Sequence, residues 1–483
     1  MENQRPQTVP RVLIFPMPAQ GHVNPMLKLA ELLAMSGIHI TFLNTDHIHN
    51  RLIKYTDIET RYSKYTGFIF RTISDGLDED HPRKGKLVWD IVHSLHQKAK
   101  PVLKEMLVSG QLGSGDSPSV TYMISDGLFG EFTIDVGEEL GIPTVHFRCS
   151  SACYFWSYFF FPRLLESGEI PITNMDKLIS SVPGMESFLR ARDLPSMCRV
   201  TDVTTDQTLH MVHEVTYQSH RARALILNTF EDLEGPIVRR ITEFCPNIYT
   251  IGPLHTHLNV RLAQNSKWSS DQSSNNLYDE DRSCLTWLDS QPPHSVIYVS
   301  FGSITVVSKA ELLEFWYGLV NSKQRFLWVM PPDMVLGEDG ENSVPADLEE
   351  ATRERGCMVG YAPQEQVLAH SAVGGFLTHS GWNSTLESIG AGVPMICWPY
   401  FGDQQINSRF VSQVWNLGLD MKDVCDRKVV EKMVNDLMVE RRREFAESTA
   451  EMARLAKRSV NEGGPSYSNL ERLIQDIISC WTN

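Results

Sequence analysis

The chain has no apolar run long enough to span a bilayer. Its densest aromatic stretch, Tyr154-Phe155-Trp156-Ser157-Tyr158-Phe159-Phe160-Phe161, falls far short of the roughly 20 residues a membrane helix needs. It has no excess of positive charge: 44 Lys plus Arg stand against 59 Asp plus Glu, a net charge of −15. That balance argues against nucleic acid and against an anionic membrane surface as partners. Paired cysteines are missing too. The nine cysteines are an odd number with no C-x-x-C and no metal-like spacing; Cys149 and Cys153 read as core thiols of a reducing compartment. No G-x-G-x-x-G follows the first apolar run, where the turn offers only Gly21, and this weighs against a nicotinamide-dependent oxidoreductase. No acidic pair suited to a divalent metal stands out, so catalysis without metal or cofactor is expected. The first apolar run, Val12 to Phe15, is followed by prolines, and no signal peptide is expected.

What is present is ordinary for a soluble globular protein: 42% hydrophobic and 21% charged residues in a chain of 483. That length suggests two or three domains. Residues 11–15 read as a buried strand, 16–21 as a Pro-Gly turn, 25–36 as a helix stopped by Gly37, and 38–44 as a second strand. This βαβ opening predicts a parallel, doubly wound sheet. Residues 122–125 give a strand ending at Asp126, 133–140 a helix ended by Gly141, and 144–147 another strand. The run 224–228 reads as the last strand of this half, and the polar stretch 255–282 as a solvated linker. A second α/β half opens with the run 295–303, then a helix over 309–321 and a strand over 326–329; 426–457 is charged and largely helical.

The segment from Tyr361 to Gln404 carries the most chemistry. Phe376-Leu377-Thr378 ends a strand-like run, His379-Ser380-Gly381-Trp382-Asn383-Ser384 turns, and Thr385 to Ile389 opens a helix. A strand feeding a tight turn at a helix N-terminus gathers unpaired N–H groups and a positive dipole end. A phosphate is the guest it suits. The segment resembles the signature box of plant family 1 UDP-glycosyltransferases. The resemblance implies that Tyr361, where the family usually has Trp, stacks on uracil with less area. Ala362 and Gln364 would meet the uracil and ribose edge. His379, Trp382, Asn383 and Ser384 would hold the diphosphate, and Glu387 the ribose hydroxyls. Asp403 and Gln404 would bind the sugar, with Gln404 leaning towards glucose.

His22, in Pro18-Ala19-Gln20-Gly21-His22-Val23-Asn24-Pro25, lies just after the first strand. Imidazole is the side chain best suited to take a proton near neutral pH. The resemblance makes His22 the catalytic base and Asp126 its partner, holding the tautomer as a triad acid does. Gly21, Gly302, Ser303 and Ser151 complete the implied donor side. The implied fold class is α/β: GT-B, two Rossmann-like doubly wound parallel-sheet domains facing across a cleft. Its divisions would be an acceptor domain over residues 1–252, a linker over 253–292, a UDP-sugar domain over 293–460 and a returning helix over 461–483. The implied reaction is inverting transfer of glucose from UDP-glucose, a co-substrate, to a small hydrophobic aglycone, giving a β-glucoside or a glucose ester. Pro16 to His22, Thr72 to Leu77 and Phe147 to Ala152 look like plant enzymes acting on iridoid and related terpenoid aglycones, 7-deoxyloganetic acid among them. A phenolic or flavonoid acceptor is the alternative; a non-catalytic nucleotide-sugar-binding protein is the alternative of another class. Acceptor walls are expected from the aromatic run and from residues 184–197. Arg148 would either attract an acidic aglycone or form a structural salt bridge. The enzyme is expected to be a cytosolic monomer.

Overall fold

The computed structural model describes residues 9–113, 119–200, 202–264, 275–331, 334–336 and 346–482. The chain forms two compact units. The first holds Met1–Phe159, His210–Leu277 and Arg458–Asn483; the second holds Phe160–Leu209 and Tyr278–Lys457.

The first unit is built on seven strands: β1 (Arg11–Phe15), β2 (His39–Thr45), β3 (Ile69–Ile73), β4 (Tyr122–Asp126), β5 (Thr144–Arg148), β6 (Ala224–Leu227) and β7 (Ile248–Thr250). They pair in parallel in the order β3-β2-β1-β4-β5-β6-β7. Both β1 and β4 are buried along their whole length. Covered on both faces, such strands read as continuous apolar runs rather than alternating ones. The order reverses direction between β1 and β4, where Phe15 lies opposite Ser125. The carboxyl ends of the strands at such a switch point are where open α/β sheets bind ligands.

The second unit repeats the plan with six strands: β8 (Val296–Ser300), β9 (Arg325–Val329), β10 (Gly356–Val359), β11 (Val373–Thr378), β12 (Met395–Cys397) and β13 (Gly418–Asp420). Their parallel order is β10-β9-β8-β11-β12-β13. The switch falls between β8 and β11, where Ser300 lies opposite Thr378. Two doubly wound parallel sheets are the α/β composition expected from the sequence.

Several local expectations need correction. The first helix spans Gln20–Met35, so His22 sits on its first turn and not in a loop. Gln-Gly-His shows no amphipathic pattern because that turn projects from the sheet's carboxyl edge. β6 is not the last strand of its sheet; β7 follows. The polar stretch 255–282 opens with a helix, Leu254–Gln264, anchored by buried Leu254, His257 and Leu258. Residues 265–274 of that stretch lie outside the described residues.

The terminal helix, Pro465–Thr482, packs within the first unit. Asn469 Nδ2 donates to the Thr250 carbonyl at 3.1 Å and Arg472 to that of Ile248 at 2.6 Å. Residues 184–197, expected as acceptor wall, belong to the second unit. There Asp193, at 0% exposure, meets Arg190 Nε at 2.9 Å, Lys422 Nζ at 3.0 Å and Arg409 Nε at 3.3 Å. The Phe188 carbonyl accepts from Arg409 at 2.7 Å.

Candidate active-site residues

At the first switch point the polypeptide brings His22 and Asp126 together. Nδ1 of His22 lies 2.7 Å from Oδ2 of Asp126. The carboxylate, 1% exposed, also accepts from the backbone N–H of Met17 at 3.3 Å and of Leu128 at 2.9 Å. Burial alone would raise the Asp126 pKa, but His22 and these N–H donors outweigh it and hold it below the ordinary carboxylate value. An ionised Asp126 accepts a hydrogen bond from Nδ1–H, which keeps the proton on that nitrogen and leaves the basic lone pair on Nε2. The ring is 24% exposed, its partner almost not at all. This is the arrangement of an oriented base: the acid is buried and fixed, the imidazole reaches solvent.

At the second switch point a cradle forms from the ends of β8 and β11. The helix Trp382–Ala391 begins directly after the turn His379–Gly381. Ser380 adopts a left-handed backbone with φ of 65°, and Gly302 has φ of 79°. Gly302 and Gly381 enclose the His379 ring; a Cβ on either would lie 2.6 Å or 2.5 Å from Nε2. Burial lowers the His379 pKa to about 4, against a hydrogen bond with the Ser300 backbone that favours the charged ring. A neutral imidazole beside a helix N-terminus can donate to an anion without bringing a fixed charge. Gly302→Ala is therefore expected to weaken UDP binding about tenfold or more, since alanine costs roughly 1–2 kcal/mol in this backbone region before displacing the ring. Calorimetric titration with UDP measures it, and an unchanged Kd would remove the diphosphate from this turn.

The rest of the box is linked side chain to side chain. Gln364 Nε2 donates to Ser384 Oγ at 2.9 Å and to Glu387 Oε2 at 2.7 Å, while Tyr298 Oη donates to Gln364 Oε1 at 3.2 Å. Gln364, Ser384 and Glu387 thus form one polar cluster. Ala362 is buried, and Asn383 and Ser303 are half-buried. The Trp382 indole is buried beside Trp415, at 6.2 Å between rings. Gln404 Oε1 accepts from the N–H groups of Tyr400 at 2.7 Å and Phe401 at 2.9 Å. Two backbone donors fix the amide orientation, so Nε2 is the group Gln404 can offer a sugar hydroxyl.

Ser151, Gly21 and Arg148 all lie in the first unit. Ser151 is 0% exposed, and its Oγ accepts from the Tyr154 N–H at 3.1 Å, as a helix cap does. Gly21 is exposed beside His22, in the first unit. Arg148 forms no salt bridge with a carboxylate among the described residues. It is 5% exposed, donates to the Val215 carbonyl at 2.7 Å and to Ser219 Oγ, and lies over Phe155. Burial lowers its pKa to about 10.

Three residues escaped the sequence reading. Tyr278 stacks on Tyr361, ring centroids 4.0 Å apart and planes at 13°, backing the ring expected under uracil. Its place in a polar stretch hid it, although an aromatic there was the available signal. Asn407 Nδ2 donates to the Ser380 carbonyl at 3.0 Å and to Asp403 Oδ2 at 2.9 Å, tying the left-handed turn to the Asp403 carboxylate. It lies one helical turn beyond Asp403, on the same face. Cys149, read as a core thiol, has its Sγ 3.5 Å from Asp126 Oδ2.

Comparisons with known proteins meet this geometry. The family described as "UDP-glucoronosyl and UDP-glucosyl transferase" matches residues 180–442. The 7-deoxyloganetic acid glucosyltransferase of Catharanthus roseus is 55% identical over 99% of each chain. The 7-deoxyloganetin glucosyltransferase of Gardenia jasminoides is 40% identical over 96% of this chain and 97% of its own. Among solved structures, Os79 from O. sativa in complex with UDP superposes with a TM-score of 0.79 at 26% identity, over 96% of this chain and 100% of its own. A phosphate-suited turn in one sheet, an oriented imidazole in the other and likeness along nearly the whole chain agree: this protein belongs to the UDP-glucoronosyl and UDP-glucosyl transferase family, and it is a UDP-sugar-dependent glycosyltransferase.

Proposed function

We propose that the protein transfers glucose from UDP-glucose to a small plant metabolite with inversion, His22 acting as base. The observation that carries the reading is the 2.7 Å contact between His22 Nδ1 and buried Asp126. The acceptor hydroxyl gives its proton to Nε2 as its oxygen attacks the anomeric carbon opposite UDP. Asp126 supports the imidazolium that forms. The C–O bond to the diphosphate breaks in the same displacement, and an α-linked donor yields a β-glucoside. His379, Asn383, Ser384 and the helix N-terminus at Trp382 stabilise the charge gathering on the leaving diphosphate. Tyr361, Ala362, Gln364 and Glu387 hold the nucleoside; Asp403 and the Gln404 amide hold the glucose; Gly302 and Ser303 admit the phosphates closely.

The 55% identity to a 7-deoxyloganetic acid glucosyltransferase favours an iridoid acid or a related terpenoid as acceptor. A flavonoid acceptor is the second reading, because a myricetin 3-O-rhamnoside glucosyltransferase is 44% identical over 97% of this chain. The nucleotide-sugar half of the chemistry maps onto residues 293–460 and the base onto residues 1–252. Nine cysteines outside any disulfide and an acidic net charge of −15 suit a cytosolic monomer. Incubation with UDP-glucose and a panel of iridoid, terpenoid and flavonoid acceptors, read by mass spectrometry, tests the reading. Glucoside and UDP in equal amounts with an iridoid acid are expected. UDP-glucose bound but never turned over with any acceptor would instead make this a nucleotide-sugar-binding protein.

A further inference from the structure

We propose that the His22–Asp126 pair, together with Cys149, forms an inhibitory binding site for a thiophilic divalent cation such as Zn2+. β1, β4 and β5 are neighbours in the first sheet, and each delivers one ligand beyond its carboxyl end: His22, Asp126 and Cys149. Asp126 Oδ2 is shared, 2.7 Å from His22 Nδ1 and 3.5 Å from Cys149 Sγ. The three ligand atoms all lie within 4.8 Å of one another, and among the described residues no other group of three His, Cys, Asp or Glu does so. A tetrahedral zinc ion with Zn–N and Zn–O near about 2.0–2.2 Å and Zn–S near about 2.3 Å holds its ligands roughly 3.2–3.7 Å apart. The Oδ2–Sγ pair already has that spacing, and rotation of the imidazole by roughly 0.5–1 Å brings Nδ1 to it, a side-chain adjustment. The imidazole is 24% exposed, so an ion has a way in from solvent. A nitrogen, a carboxylate oxygen and a thiolate are a donor set that selects zinc over magnesium or calcium.

The exchange balances without redox change. The cation forms bonds to Nδ1, Oδ2 and Sγ, and the protons of Nδ1 and Sγ pass to solvent. Water or an acceptor oxygen fills the fourth position. With the metal on Nδ1 the imidazole turns away from its working orientation, and Asp126 no longer supports an imidazolium. Glucosyl transfer stops while UDP-glucose binding in the second unit continues. The inhibition rests on His22 being the base; the metal site itself rests only on the geometry.

Two measurements on the full-length protein separate these parts. In the transfer assay, Zn2+ should inhibit and a chelator should restore activity. Cys149→Ser, compared with its own metal-free rate, should raise the half-inhibiting Zn2+ concentration about tenfold or more. Cys357→Ser, at a half-buried thiol far along the sequence, should leave that concentration unchanged. Without substrates, Co2+ should give a thiolate-to-cobalt charge-transfer band in the parent that is missing from Cys149→Ser and from Cys149→Ala. A cobalt band with no zinc inhibition would keep the site and overturn the role of His22. Equal cobalt spectra in parent and both Cys149 variants would overturn the site.

Discussion

His22→Ala lowers kcat for an alcohol or phenol acceptor by about 10²–10⁴-fold, the range a positioned general base supplies, with KM for UDP-glucose nearly unchanged. The split follows from the placement of the groups. His22 and Asp126 belong to the first unit, and the phosphate-suited turn belongs to the second. Removing the imidazole takes away the proton acceptor and leaves the donor cluster of Gln364, Ser384 and Glu387 intact. Asp126→Asn should act in the same direction. An amide in place of the carboxylate donates to Nδ1 instead of accepting from it, so the proton is driven onto Nε2 and the base is lost. A carboxylic-acid acceptor is already ionised at neutral pH, so ester formation should fall far less in both variants. Steady-state kinetics with matched alcohol and acid acceptors reads the difference. Full activity of His22→Ala on an alcohol would refute the base.

Asp193→Ala should destabilise the second unit by about 3–5 kcal/mol, the usual cost of leaving buried cations without their counter-charge. Asp193 is fully buried and holds Arg190, Arg409 and Lys422 around one carboxylate. Asp420, 3.6 Å from Arg190 and 3.5 Å from Lys422, would be left as the counter-charge to three cations. The effect should reach the donor side as well. This segment continues to Ser196, whose Oγ accepts from the Gly402 N–H at 2.8 Å, beside Asp403 and Gln404. Burial by itself raises the Asp193 pKa, but Lys422 and Arg190 override it and the net shift is downward. A carboxylate whose folded pKa is depressed stabilises fully above its unfolded pKa of about 3.9 and loses that contribution as pH falls through the lower folded value. Parent and variant should thus differ most near neutral pH and converge in strong acid. Denaturant titrations at pH 7 and at low pH measure this; a constant gap across the range would place the stabilisation in packing instead of charge.

The fold was legible because buried parallel strands write themselves as short apolar runs. β1, β4 and β8 show plainly in Arg11 to Phe15, Tyr122 to Asp126 and Val296 to Ser300. Short strands such as β12 and β13, three residues each, carry too little pattern to be told from loops. The start of the first helix was misread because its first turn serves the site and not the core. Within the site, residues in one contiguous segment can be proposed from the sequence, as those from Tyr361 to Gln404 were. Tyr278, Asn407 and Cys149 could not, since each acts through a contact made by folding. Ser151 adds a second role that no pattern announced: its oxygen caps the helix that follows it.

The proposed mechanism predicts one displacement at the anomeric carbon, the base-activated nucleophile entering on the face opposite the departing diphosphate. Proton NMR of the glucoside formed from UDP-α-glucose, recorded before any equilibration, tests this most directly. The account predicts a β-configured product alone. An α-configured product would mean retention, and with it a mechanism in which His22 does not play the part assigned here.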